Sequence, residues 1–200
     1  MPSVPPLALI ALAFAVVTAG CVGVVGPGGD ASATPTTTLA GTDSGPRNGT
    51  VVRVIAVVDG DTLDVRLPNG STDRVRLLGV DTPEVHVEPT PAEFEGVPDT
   101  AAGRRCLRDV GENASAFARH RLDGRRVRLV GDALADDRGS YGRRLAYVSV
   151  DGQNFDYRLV AEGYARVYDA PFERSARFYA AESRAQSAGR GVWACRTVGQ

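Results

Sequence analysis

The thirty residues from Val51 onward constrain the fold most strongly, because they predict three consecutive antiparallel strands. Residues 51–58 form a β-branched run, and residues 62–67 alternate apolar with polar side chains. The turn at 68–70, Pro-Asn-Gly, leads back into a third run at 73–80. Three strands in so short a stretch favour a meander that curls into a barrel.

The rest of the chain adds two strands and three helices to this meander. Strand-like runs at 127–130 and 144–150 flank an acidic turn, and residues 85–105, with three prolines and no regular period, are predicted to be a long loop. Helical spacing of apolar residues covers 112–122, 154–162 and 172–188. The predicted fold class is therefore α+β, mainly β: a five-stranded OB-like barrel with about three helices.

The first fifty residues have a different composition from the remainder. An uncharged run of eleven residues, 7–17, is shorter than the roughly twenty that span a bilayer and fits the core of a secretory signal. Thr-Ala-Gly-Cys at 18–21 resembles a prokaryotic lipoprotein signal in which Cys21 is lipidated, although no Lys or Arg precedes it. A plain cleaved signal and an uncleaved hydrophobic anchor remain alternatives.

This composition predicts three segments: a signal at 1–20, a flexible Gly/Ser/Thr/Pro tether at 21–50, and one domain at 51–198. We expect an exported monomer, either lipid-anchored to the outer face of the cytoplasmic membrane or secreted. Export also suits Cys106 and Cys195, which have no nearby CxxC or His partner and are expected to form a disulfide. Two buried free thiols are the alternative.

Charge does not make this a basic protein. The chain has 23 basic residues, all arginine, against 24 acidic ones, and only three charged residues lie before Val51, so the domain is neutral. Strong non-specific attraction to nucleic acid is therefore not provided by the whole domain. Five arginines are concentrated between 119 and 128, and they form either a solvated face or a binding groove. Residues 81–99, in contrast, hold six acidic residues and no basic one.

Two carboxylates are predicted to meet. Asp61 begins the second strand and Asp81 ends the third, so a hairpin brings them side by side. Such a pair repels unless a cation lies between its members, and hard oxygen ligands suit calcium. Taken alone, Asp-Gly-Asp also occurs in simple turns.

Four strings in this order carry a resemblance over residues 51 to about 196: VVDGDTLDVRL, VRLLGVDTPE, ENASAF and SYGRRLAYV. Together they resemble the staphylococcal nuclease (thermonuclease) family. The resemblance implies an OB-fold nuclease that uses Ca²⁺ to hydrolyse DNA and RNA, leaving 3′-phosphates.

The resemblance also implies roles for individual residues. It implies calcium ligation by Asp61, Asp81 and the Thr82 carbonyl, with Glu84 as general base. It further implies phosphate binding by Arg76 and Arg143, the two catalytic arginines, and by Tyr141, which is expected to hydrogen-bond a terminal phosphate. Tyr168 is a candidate for stacking on a base, although it does not align cleanly with the tyrosines of the family.

Two other classes of function remain open. One is a nucleic-acid-binding module on the same barrel with weak or no catalysis, against which the retained Asp, Arg and Glu residues argue. The other is a structural calcium-binding surface domain, which would be stabilised by calcium without affinity for nucleic acid. The acidic stretch after Glu84 leaves base preference and affinity open.

The disulfide prediction can be tested on the folded protein. A bond between Cys106 and Cys195 closes a loop of about ninety residues and is expected to stabilise the fold by about 3–4 kcal/mol. The intact mass should show the loss of two hydrogens, and a thiol reagent should label neither cysteine before reduction. Full labelling of both under native, non-reducing conditions would contradict the bond.

Overall fold

The computed structural model describes residues 49–198. The predicted signal, Cys21 and nearly all of the predicted tether lie outside the described residues. The strands are β1 (Thr50–Val57), β2 (Thr62–Arg66), β3 (Thr72–Leu77), β4 (Val80–Asp81), β5 (Arg126–Val130), β6 (Arg144–Val150), β7 (Gln153–Asn154) and β8 (Arg166–Val167). The α-helices are α1 (Ala101–Leu122), α2 (Phe155–Ala161) and α3 (Ser175–Ser187), and 3-10 helices span Pro91–Glu93 and Gly191–Thr197.

Five of the strands close into a barrel. The sheet order is β3-β2-β1-β5-β6, all antiparallel, and a parallel pairing of β3 with β6 joins the two edges, with Val75 opposite Arg144. The short strand β7 extends β6, and β4 pairs with β8 in a separate two-stranded sheet. The predicted mainly-β, five-stranded barrel with about three helices is confirmed.

The third predicted strand is interrupted. It was expected to run through 73–80, but β3 ends at Leu77, and Gly79 adopts a left-handed φ of 76°. A side chain at Gly79 would also lie 2.7 Å from the ring of Phe172, so glycine is required twice over. The turn sends β4 away from the barrel and places Asp81 opposite Arg166 of β8.

Helix α1 begins eleven residues before its predicted start at Glu112, so that prediction was wrong. Thr100 caps the helix by accepting a hydrogen bond from the Gly103 N–H at 3.1 Å. The buried stripe has helical spacing but consists mostly of small residues, which hid it from a search for large apolar side chains. These residues are Gly103, Leu107, Gly111, Ala114, Ser115, Ala118 and Leu122.

The glycines of this stripe let α1 lie against the loop that follows β4. A Cβ at Gly111 would lie 2.5 Å from the carbonyl oxygen of Pro83, and one at Gly103 would lie 2.0 Å from that of Pro98. Both contacts are with backbone, which cannot swing away as a side chain can. The position of the segment that bears Thr82 and Glu84 is therefore set by close contact with α1.

Two hydrophobic clusters support the domain. The larger fills the barrel and extends beneath α2 and α3. The smaller joins Phe94, Leu107 and Trp193 around the disulfide between Cys106 and Cys195, whose Cα atoms are 5.7 Å apart. This bond ties α1 to the C-terminal 3-10 helix.

None of the helices between residues 49 and 198 is both long and apolar enough to cross a bilayer.

One carboxyl group lies inside the protein where α2 docks on β6. Asp156 is fully buried, and its Oδ1 accepts a hydrogen bond of 3.0 Å from the Val148 N–H. Its Oδ2 has no hydrogen-bond partner among the described residues. Burial raises the pKa of Asp156 to about 8, and the bond from Val148 acts in the opposite direction.

The close approach at Gly111 predicts that Gly111→Ala destabilises the fold. In a helix, alanine is more favourable than glycine by about 1 kcal/mol. Here, however, its methyl group must displace the backbone at Pro83, and such overpacking costs about 1–3 kcal/mol. The measurement is the urea midpoint. Asn113→Ala, at an exposed position of the same helix, is the control and should leave the midpoint unchanged or slightly raised. An unchanged or raised midpoint for Gly111→Ala would contradict the close contact.

The buried carboxyl predicts that the fold becomes less stable as the pH rises from about 4 to about 8. The pKa of Asp156 is higher in the folded than in the unfolded protein, because burial favours the neutral form. The contribution of neutral Asp156 to the free energy of unfolding is therefore fully present below about pH 4 and is lost as the pH rises to about 8. Asp156→Asn keeps the shape and cannot ionise. The free energy of unfolding of this variant should therefore fall less than that of the wild type between about pH 5 and about pH 8.5. Parallel curves for the two proteins would refute the assignment.

Candidate functional site

Asp61 is held at the start of β2 by its neighbours. It is 2% exposed, and its Oδ2 accepts hydrogen bonds from the N–H and the hydroxyl of Thr82 at 2.8 and 2.9 Å. The hydroxyl of Thr62 donates to Oδ1 at 3.1 Å. A Cβ at Gly60 would lie 2.8 Å from Thr82 Cγ2, so this approach requires glycine. Asp61 is thereby fixed in one orientation.

Arg76 joins the two predicted metal-binding carboxylates. It lies opposite Thr62 in the ladder between β2 and β3, next to Asp61. Its Nη1 forms an ion pair with Asp61 Oδ1, and its Nη2 donates to Asp81 Oδ1 at 2.5 Å. The Arg76 and Asp81 side chains are only 16% and 14% exposed, so water weakens these charge pairs little. The predicted convergence of the two carboxylates is present, with a guanidinium between them.

A second arginine holds Asp81 from the other side. Arg166 Nη2 lies 2.7 Å from Asp81 Oδ2, because β4 and β8 place the two residues opposite each other. The guanidinium carbon of Arg166 also lies 5.8 Å from the ring centres of Phe94 and Tyr168. Sequence reasoning missed Arg166, since neither two-residue strand carries a readable alternation pattern.

Glu84 stands three residues beyond Asp81, with its side chain exposed. Neighbouring protein atoms still displace part of its water, which raises the pKa of Glu84 above its ordinary value. The negative charge of Asp59 adds to this rise, and the positive charge of Arg76 opposes it. The result is a solvent-accessible carboxylate of increased basicity beside the paired aspartates.

A cleft of about 380 Å³ opens beside Arg76. Four residues named from the sequence line it: Arg76, Tyr141, Arg143 and Tyr168. Tyr141 is 85% exposed, and the guanidinium carbon of Arg143 lies 5.5 Å from the centre of its ring. The structure therefore brings together in one cleft both predicted phosphate-binding arginines and both predicted substrate tyrosines.

The carboxylate pair fits a hard cation in chemistry. Asp61 and Asp81 turn oxygens toward one positively charged group, Arg76, and the backbone N–H of Thr82 donates to Asp61 at 2.8 Å. Among residues 49–198, no three Asp, Glu, His or Cys side chains gather into a metal cage. Two carboxylates leave the remaining positions of a calcium ion to other oxygen ligands, including water and substrate.

Comparison with known proteins agrees with this geometry. The profile of the family described as staphylococcal nuclease homologue matches residues 74–195. The thermonuclease of Staphylococcus hyicus is 33% identical over 162 residues, which cover 76% of this chain and 85% of that protein. An uncharacterized protein of Methanocaldococcus jannaschii is 38% identical over 148 residues, 70% of each chain. A prophage-derived endonuclease of Bacillus subtilis is 34% identical over 139 residues, 68% of this chain and 41% of that protein. The barrel, the order of the motifs and these matches together place the chain in the staphylococcal nuclease family.

Proposed function

We propose that this protein is a calcium-dependent nuclease that hydrolyses phosphodiester bonds of DNA and RNA and leaves 3′-phosphates. The observation that carries the proposal is the position of Arg76, which lines the cleft and also contacts both aspartates. A phosphate bound in the cleft would therefore lie beside the carboxylates. Nuclease function in general is supported by family membership and by the two relatives named for nuclease activity.

Calcium would be held by Asp61, Asp81 and the carbonyl oxygen of Thr82. The bound ion would supply positive charge to the phosphate oxygens as negative charge develops on them. The two carboxylates suit this role because both are anchored, Asp61 by Thr82 and Asp81 by Arg166.

The chain's own residues would carry the remaining chemistry. Glu84 would orient the attacking water and accept its proton. Arg143 would also bind the phosphate in the cleft, and Tyr141 would hydrogen-bond a terminal phosphate. Arg76 still has N–H groups beyond the two that contact aspartates, because a guanidinium carries five donors. It would therefore bind phosphate without releasing both carboxylates.

A second candidate is a nucleic-acid-binding module without catalysis. It is favoured by the charge balance around Asp81, whose two oxygens are already paired with Arg76 and Arg166. Such a site would be stable as an ion-pair network and would still present Arg143 and the tyrosines to a nucleic acid. Catalysis would be lost if Arg76 remained fully engaged with the aspartates.

We also propose that the protein acts outside the cytoplasm, as a monomer, either secreted or anchored by a lipid on Cys21. The signal-like N-terminus supports export, and a disulfide agrees with an oxidising compartment. Substrate would then be extracellular DNA and RNA.

The proposal predicts calcium-dependent cleavage of single-stranded DNA. Cleavage should occur with Ca²⁺ and stop in EDTA, and the products should become extendable by a polymerase only after phosphatase treatment, because a 3′-phosphate blocks extension. Cleavage that continues unchanged in EDTA would refute the calcium mechanism. Binding without cleavage under both conditions would favour the second candidate.

Glu84→Gln is the matched variant in this assay. It keeps the size of the side chain and removes the base, so the rate should fall by about two to four orders of magnitude while nucleic-acid binding changes little. Glu88→Gln, an exposed change in the same acidic loop, is the control and should retain activity. A Glu84→Gln variant with near wild-type turnover would place the base elsewhere.

A further inference from the structure

Three arginines lie in a row on the outer surface of the barrel. Arg53 of β1 is opposite Arg66 of β2 on one side and opposite Arg126 of β5 on the other. Their strand neighbours Val52, Val54, Val65 and Val127 point into the core, so all three arginines face solvent. Adjacent strands are about 4.8 Å apart, and the row therefore crosses three strands within about 10 Å.

None of these three arginines has a carboxylate partner among the described residues. Elsewhere on the barrel exposed arginines are paired: Arg74 with Asp64 at 2.7 Å and Arg125 with Asp151 at 2.6 Å. Like charges directly opposite each other on neighbouring strands are destabilising. The row is thus a concentration of positive charge that the protein itself does not neutralise, in a domain that is neutral overall.

The row borders a groove. A depression of about 410 Å³ lies between the three arginines, and Val51, Leu67 and Pro68 contribute its apolar lining. A guanidinium fork binds phosphate oxygens in two parallel hydrogen bonds, so a line of such forks matches a chain of phosphates. A depression lined by three guanidinium groups therefore suits a polymer whose backbone carries repeated phosphates.

We propose that this arginine row, Arg53, Arg66 and Arg126, binds the phosphodiester backbone of nucleic acid at a distance from the cleavage site. The inference rests on the proposed function, because it gives the same substrate a second point of contact. Arg66 is five residues beyond Asp61 on β2, which corresponds to about 17 Å along the strand. Only a strand longer than a few nucleotides would reach both places.

The experiment compares two triple variants of the full chain that lose the same charge. The first is Arg53→Gln/Arg66→Gln/Arg126→Gln. The control is Arg105→Gln/Arg108→Gln/Arg119→Gln, on α1. Binding of a long fluorescein-labelled single strand of DNA is followed by anisotropy in EDTA over a range of salt concentrations. Cleavage of the long strand and of a dinucleotide is measured separately with Ca²⁺.

The row variant should bind the long strand about tenfold more weakly at low salt. The plot of log affinity against log salt concentration should become shallower, its negative slope decreasing in magnitude by about 2, because three phosphate contacts to a single strand are lost. Cleavage of the dinucleotide should be unchanged, and the control should resemble the wild type. Arg53→Gln alone should show the same direction if the triple variant does not fold.

Two results would overturn the inference: an equal loss of DNA binding in the control, or unchanged DNA binding of the row variant. Binding of both proteins to phosphatidylglycerol vesicles is measured in parallel to interpret the second result, in case the loss is confined to vesicles. Weaker binding to vesicles with unchanged binding to DNA would assign the row to an anionic membrane surface. A wild-type protein that binds DNA through the row but cuts neither substrate would refute the proposed function and leave this contact standing. Normal cleavage of both substrates by the row variant, with unchanged DNA affinity, would refute the arginine-row contact and leave the proposed function standing.

Discussion

The guanidinium of Arg76 between Asp61 and Asp81 is the interaction on which the surrounding structure depends. Two shielded carboxylates repel each other strongly, and a cation between them turns that repulsion into attraction. The neighbouring architecture fixes both partners: Thr82 donates twice to one aspartate, and Arg166 holds the other. Loss of Arg76 would leave the buried carboxylate of Asp61 without an ion-pair partner, whereas Asp81 would keep Arg166, so folding and chemistry share Arg76.

Regular alternation and turn chemistry made the barrel predictable. The meander through β1, β2 and β3 carries a period of two and a Pro-Asn-Gly turn, and the two aspartates were expected to meet because a hairpin joins them. The start of α1 was not predictable in the same way, because glycine and alanine form its buried face. Arg166 was missed for a related reason, since its strand is two residues long and its partner is distant in sequence.

The domain has no net charge, yet its positive charge is concentrated at one place on the barrel surface. The neutral sum gave no reason to expect affinity for nucleic acid, and the arginine run at 119–128 was open to two interpretations. In the fold that run separates: Arg125 pairs with Asp151, whereas Arg126 joins Arg53 and Arg66 from other strands. A local field therefore arises from residues that are far apart along the chain, which no composition count reveals.

The parallel pairing of β3 with β6 has a consequence for the order in which activity appears. During synthesis, the segment with Asp61, Arg76, Asp81 and Glu84 leaves the ribosome first. The barrel cannot close until β6 has also emerged, because β6 pairs with β3. Arg143 emerges together with β6, and Tyr168 emerges after it. Pairing between segments so distant in sequence is a slow step in folding. A nascent or truncated chain thus holds the acidic half of the site without the cleft. The two halves of the site therefore come together only after β6 has been synthesised.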